Sequence, residues 1–175
     1  MSQDHAQLAE LVKPFADSVV KENPSGGGVY VPHSMVVQKL IASLGHPPDF
    51  EIIDVIRGDA FYRVTENGGS VACLPHLDAA HQITNAVVGC TAVMSFKVDG
   101  EPVTIVETGD CENPANWKTD GARLKDAASD AYKRCAMRAG VGLHLWTKSD
   151  QPYVLDQRFP TATVAAAPEP TEEAA

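Results

Sequence analysis

The apolar positions of this chain change period twice, and those changes mark out its elements. Leu8, Leu11, Val12, Phe15 and Val19 recur at helical spacing, which predicts an amphipathic N-terminal helix. Pro14 falls inside the run; it has no amide hydrogen and its ring crowds the preceding turn, so a kink or a restart is expected there. Pro24-Ser-Gly-Gly-Gly28 then reads as a flexible linker. Val36, Val37, Leu40, Ile41 and Leu44 make one apolar face of a second helix. Pro32 suits its first turn, and Gly45 with Pro47-Pro48 stops it.

From Phe50 onward the period drops towards two. Residues 50–56 and 60–64 predict two strands, with a turn at Asn67-Gly-Gly69. Residues 66–86 are less regular and accommodate a short strand and a loop. Val88, Cys90, Ala92, Met94, Phe96 and Val98 alternate with Gly89, Thr91, Val93, Ser95 and Lys97, so one face of that strand is wholly apolar. Asp99-Gly100 follows directly and Val103 to Val106 returns, a hairpin signature, because Asp-Gly accepts the positive φ angles of a tight primed turn.

Helical spacing resumes between Asn116 and Gly140, where Leu124, Ala128, Ala131, Cys135 and Ala139 share one side. The small residues among them permit close packing on a sheet. Asp130 precedes Arg134 by four, the favourable order for a helical ion pair, and Gly140 can end the helix in the left-handed region. Beyond Pro160 the chain is rich in Ala, Thr, Pro and Glu, the composition of a disordered acidic tail. The expected organisation is an N-terminal helix over residues 1–24, a core domain over 25–158 and a tail over 159–175.

Composition adjusts this picture. With 175 residues, 44% of them hydrophobic, the chain can bury a real core without staples. Cys73, Cys90, Cys111 and Cys135 form no C-x-x-C pair, so they read as reduced, mostly buried thiols. No apolar run approaches the roughly 18 residues of a membrane span, and the first ten residues lack the basic and apolar regions of a signal peptide, so a cytoplasmic protein without membrane partners is expected.

The net charge of −9 argues against a polyanionic partner, because nucleic-acid affinity leans on cations that neutralise phosphates. Its distribution argues otherwise. Residues 118–138 hold six bases against three acids, a local +3, while the remainder holds eight bases against twenty acids. Phosphate attraction acts over a Debye length of roughly 8 Å, so a basic strip can work on an acidic body.

The segment from Ala122 to Trp146, with its core Ala-Ser-Asp-Ala-Tyr-Lys-Arg, resembles the signature of the RAD fifty-two superfamily of single-strand annealing proteins. Upstream, the glycine run ending in Val-Tyr-Val-Pro-His33 and the helix that follows it resemble the entry to that family's core, and residues 91–108 stand where its central hairpin lies. The likeness covers about residues 25–148, and only 121–146 is specific. It implies an α+β fold: a β-β-β-α antiparallel core on a long basic helix, here with an additional N-terminal helix pair. It also implies self-assembly into a homo-oligomeric ring or arc, ATP-independent binding and annealing of single-stranded DNA in recombination and repair, and a bacteriophage setting in a bacterial cytoplasm. No cofactor, metal or covalent catalytic residue is implied.

By the same resemblance Lys133 and Arg134 face the DNA backbone, Arg138 extends the contact by a turn, and Lys97 stands near a hairpin-tip lysine of an outer site. Arg123 and Lys125 belong to the same basic strip. A groove arginine expected before the linker has no counterpart; Lys21 is the nearest base. The chemistry agrees, since annealing needs phosphates held by sequence-blind cations while base edges stay free. Aromatic residues are 6% of the chain, too few for extensive stacking; Trp117 and Trp146, which flank the signature helix, read first as core or subunit-contact residues, although either could stack a base. The acidic tail is expected either to discourage nonspecific binding or to recruit a host single-strand-binding or replication protein.

Plainer readings stand beside these. Lys-Arg near a helix C-terminus commonly complements the helix dipole, and a lysine by a hairpin turn commonly protects an edge. Cys73, His76 and His81 are spaced loosely and lack a fourth ligand. Glu107, Asp110 and Glu112 could serve a small metal-dependent nuclease, but read more simply as a polar strand end. Gly26-Gly27-Gly28 lacks the Lys-Ser/Thr ending of a phosphate loop. A structural adaptor that keeps the fold without binding DNA is the remaining alternative.

Overall fold

The computed structural model describes residues 5–23, 28–64, 70–72 and 81–147. The expected turn at Asn67-Gly-Gly69, most of the glycine linker, Cys73, His76 and the acidic tail lie outside the described residues.

The first helix, α1 (Ala6–Val12), ends before Pro14, with Lys13 extended at ψ 132°. A residue that precedes proline is pushed out of the helical region, so the apolar run stops being a helix there. Phe15 and Val19 nevertheless pack on the same core that buries Leu11. Their helical spacing reflects a shared core contact, not a shared helix.

Two short strands, β1 (Lys21–Glu22) and β2 (Val29–Tyr30), pair across the glycine run, and the Asn23 amide donates to the Gly28 carbonyl at 2.9 Å. Helix α2 (His33–Leu44) follows with Pro32 at its N-cap, one place earlier than expected, and Gly45 at φ +81° as its left-handed C-cap. Val36, Leu40 and Leu44 are its buried stripe.

The two strands expected between 50 and 64 are one, β3 (Asp49–Val64). Its pairing slips at Ile52/Asp54, Ile56/Arg57 and Gly58/Ala60, so the polar dip around Arg57-Gly58-Asp59 marks irregular pairing within one strand. β4 (Ser70–Ala72) pairs back on its end, β5 (His81–Val98) runs antiparallel along its length, and β6 (Glu101–Asp110) completes the order β4-β3-β5-β6. Cys90, Ala92, Met94 and Phe96 are buried on one face of β5 as the alternation requires. Val88 is only half-buried, whereas Ala86 and Val87 are both buried, so the alternation fails where β3 is irregular.

Asp99 and Gly100 turn β5 into β6 with φ values of +49° and +90°. The tip does more than turn. Asp99 accepts from the backbone amides of Gln7 at 2.9 Å and Leu8 at 3.3 Å, while its own amide donates to the Gln7 side chain, whose Nε2 reaches the Leu44 carbonyl at 3.0 Å. The first turn of α1 has no side-chain cap from His5, so the hairpin tip satisfies its free amides from across the fold.

Helix α3 (Asp120–Arg138) lies on β5 and β6. Its buried positions are Arg123, Ala127, Ala131, Cys135 and Ala136, so the inward face is rotated by about one position from the expected stripe; Leu124 and Ala128 flank it. The contact is close because Gly109 has no side chain: a Cβ there would overlap the Ala127 carbonyl and the Ala131 amide. Gly140, at φ +103°, ends the helix with its amide on Met137 and the Val141 amide on Ala136 at 3.0 Å, the paired bonds of a Schellman motif. The fold is therefore α+β, with antiparallel strands and an N-terminal helix pair. Among the described residues no helix is long and apolar enough to cross a membrane.

Candidate nucleic-acid interface

The six expected DNA-binding cations divide sharply by environment. Arg123 is 5% exposed. Its Nε donates to the Pro114 carbonyl at 2.8 Å, Nη1 to Asp120 at 2.9 Å and Nη2 to the Trp117 carbonyl at 2.6 Å. A buried guanidinium with all three of its nitrogens bonded within its own chain is not presented to an external phosphate, so the expectation for Arg123 is corrected to a structural role. Asp120 also accepts from Arg57 at 2.8 Å and from the Val87 amide at 3.3 Å. Arg57 first, and then that backbone amide, hold its carboxyl below the ordinary value. The start of α3 is thereby riveted to β3 and β5.

The second half of α3 is different. Lys133 and Arg134 are exposed neighbours. Asp126, Ser129, Asp130, Lys133, Arg134 and Met137 follow each other at helical spacing along one stripe. Arg134 Nε donates to Asp130 at 2.7 Å, the expected i,i+4 pair, and Asp130 also accepts the Asp110 amide at 3.2 Å. Arg138 reaches across to Glu107 on β6. Among the described residues no carboxylate lies within ion-pair distance of Lys133. His33, at the start of α2, lies edge-on to the Tyr132 ring with centroids 5.0 Å apart. Burial first and the charge of Lys133 second push its imidazole below the ordinary value.

Two clefts flank this stripe. One, of about 660 Å³, is lined by Lys133 and Arg134 together with Asp110, Glu112, Asp126 and Asp130. The other, of about 370 Å³, shares Asp130, Lys133 and Arg134 but is otherwise walled by apolar and aromatic groups, Tyr30 and Trp146 among them. Lys125 and Lys97 are exposed but line neither cleft. The structure brings Lys133 and Arg134 together, sets Arg138 on the β6 side, and leaves Lys97 beside a hairpin tip tied to α1.

The sequence showed Asp110, Glu112 and Asp130 singly; that they share one cleft with Asp126 and the two cations follows only from the packing of β6, the residues after it and α3. Of the three acids considered for a nuclease, Asp110 and Glu112 share that cleft, while Glu107 is engaged by Arg138. Among the described residues no three His, Cys, Asp or Glu side chains converge as a metal-ligand set. Cys90, Cys111 and Cys135 are free and buried, and burial, aided by nearby carboxylates, raises the thiols of Cys111 and Cys135 to about 11. They are packing groups, as expected. Compared with known proteins, the chain matches no protein-family profile and no curated protein.

Proposed function

We propose that this chain binds single-stranded DNA by its backbone on the Lys133 to Arg138 stretch of α3 and anneals complementary strands without nucleotide hydrolysis. One observation carries the reading: Lys133 and Arg134 stand side by side, exposed, between two surface clefts, and Lys133 has no carboxylate in ion-pair range among the described residues. The likeness of residues 122–146 to the annealing-protein signature supports it from the sequence side.

The acidic neighbours do not bar a phosphate. In the Arg134–Asp130 pair the side chains are 44% and 30% exposed, and an ion pair open to solvent contributes only about 0–1 kcal/mol; the partner of Arg138, Glu107, is only 16% exposed, so the exchange is easiest at Arg134. Exchanging a carboxylate for a phosphate therefore costs little, while binding should weaken steeply with salt as counterions compete. No bond is made or broken. The protein raises the local concentration of two strands, screens their mutual repulsion and leaves base edges free to pair.

Self-assembly repeats the cationic stripe along a strand. β6 supports this, since it is an edge strand of ten residues. Sedimentation should show a ring or arc of subunits that grows or tightens on single-stranded DNA, in a role in recombination and repair suited to a phage-infected bacterial cytoplasm. Residues 159–175 would recruit a host replication protein, and loss of that capture on deleting them is the check.

The direct test is annealing of complementary oligonucleotides without ATP. Wild type should accelerate it, and the Lys133→Ala, Arg134→Ala double variant should not. Equal activity of the two refutes the reading and favours the adaptor. Divalent-metal-dependent cleavage that disappears in Glu107→Ala would instead establish the nuclease.

A further inference from the structure

The second cleft has a chemistry that backbone contacts alone do not use. Its walls include Tyr30 on β2, Met137 on α3, and Leu145 and Trp146 on the 3-10 turn Leu143–Trp146, with Lys133 and Arg134 in the same lining. Trp146 is 73% exposed and Tyr30 42%. Large aromatic faces left in water around a concave, partly cationic surface mark a binding site more often than a packing accident. The turn that carries Trp146 is held in place: Gly142 enters it at φ +76°, and the Leu145 amide bonds back to the Gly142 carbonyl at 3.0 Å. At about 370 Å³ the cavity falls within the roughly 300–1,000 Å³ of small-ligand clefts, room for one nucleotide rather than a folded partner.

Resting on the single-strand reading above, we infer that this groove takes one nucleobase of the bound strand, stacked on Trp146 with Tyr30 as the second wall, while Lys133 holds the adjacent phosphate. The occupant follows from the combination of groups. An acidic peptide would satisfy the cations but leave the indole and phenol faces uncovered, and a neutral apolar peptide would leave Lys133 unused. A base with its phosphate meets both, and stacking on an aromatic face is tolerant of sequence because every base has a π-face. Anchoring one base per subunit fixes the strand's register on the protein, and the intervening bases remain outward for pairing.

The chain has two tryptophans, so a Trp117→Phe protein reports on Trp146 alone. A fluorescein-labelled thymidine oligonucleotide and an abasic strand of equal length and charge would be titrated in parallel, with binding followed by anisotropy and stacking by tryptophan emission. Both strands should bind, and only the thymidine strand should quench Trp146 strongly. Trp146→Ala should weaken the thymidine strand roughly 5- to 160-fold and leave the abasic strand unchanged. Should Trp117→Phe fold poorly, the difference in quenching between wild type and Trp146→Phe gives the same quantity.

Binding without a base-dependent change in Trp146 emission overturns the inference and leaves the annealing reading intact. A stronger response to a synthetic peptide of residues 159–175 than to thymidine overturns it in favour of an acidic peptide. Failure of both strands to bind removes the annealing reading, and the inference with it.

Discussion

Arg123 and Arg134 stand on the same helix about three turns apart, and they are used in opposite ways. Around Arg123 the cation is buried, and each of its three nitrogens donates inward, to two carbonyls and Asp120. Around Arg134 the cation is exposed, shared with one carboxylate and next to a lysine that has none in range among the described residues. The first arrangement fixes where α3 begins; the second leaves charge available for exchange. A basic strip in a sequence is thus two devices, and charge counting assigns both to the same task.

Gly109→Ala would break both halves at once, because its Cβ would overlap backbone atoms of Ala127 and Ala131 in the middle of α3. A loss above about 4 kcal/mol is expected, seen as insoluble expression or a urea midpoint near zero. Arg123→Ala should act on the first half alone. Leaving the Pro114 and Trp117 carbonyls without their donor costs about 2–3 kcal/mol in urea unfolding, with strand affinity of the folded fraction unchanged. A parallel loss of affinity would place Arg123 on the strand after all.

The Lys133→Ala, Arg134→Ala pair should do the reverse. Stability should shift by no more than about 0.5 kcal/mol per site, as at exposed positions generally. The salt dependence of binding should flatten by roughly 1.4 in log-log slope, the release of about two counterions from a single strand. Smallest of all, Asp130→Asn should free Arg134 from its partner and raise affinity by roughly two- to five-fold, in keeping with the modest worth of an exposed pair. Weaker binding in that variant would mean Asp130 positions Arg134 for the strand instead of competing for it.

The elements that sequence periodicity exposed were those whose buried face keeps a single period. α2 kept its Val36-Leu40-Leu44 stripe, the β5 alternation from Cys90 to Phe96 held, and Asp99-Gly100 adopted the paired positive φ values that a two-residue turn demands. Periodicity misled where a contact from elsewhere overrode it. Phe15 and Val19 reach the core without a helix, and the Arg57 dip is irregular pairing tied down by Asp120, a residue 63 positions later. At the candidate site, Lys133 and Arg134 could be named from local pattern. The gathering of carboxylates around them and the aromatic cleft beside them could not, because β2, the end of β6 and the turn after α3 meet there only in three dimensions.

The bond from Asp99 to the first turn of α1 also sets an order of events. A helix of seven residues is marginal in water on its own, and this one has its cap 92 residues away. During synthesis α1 stays unsettled until the β5–β6 hairpin has emerged and closed, so a helix made before that hairpin consolidates only after it. Hydrogen exchange would register that lag as fast amides at Gln7 and Leu8 in an Asp99→Ala chain whose central strands remain protected.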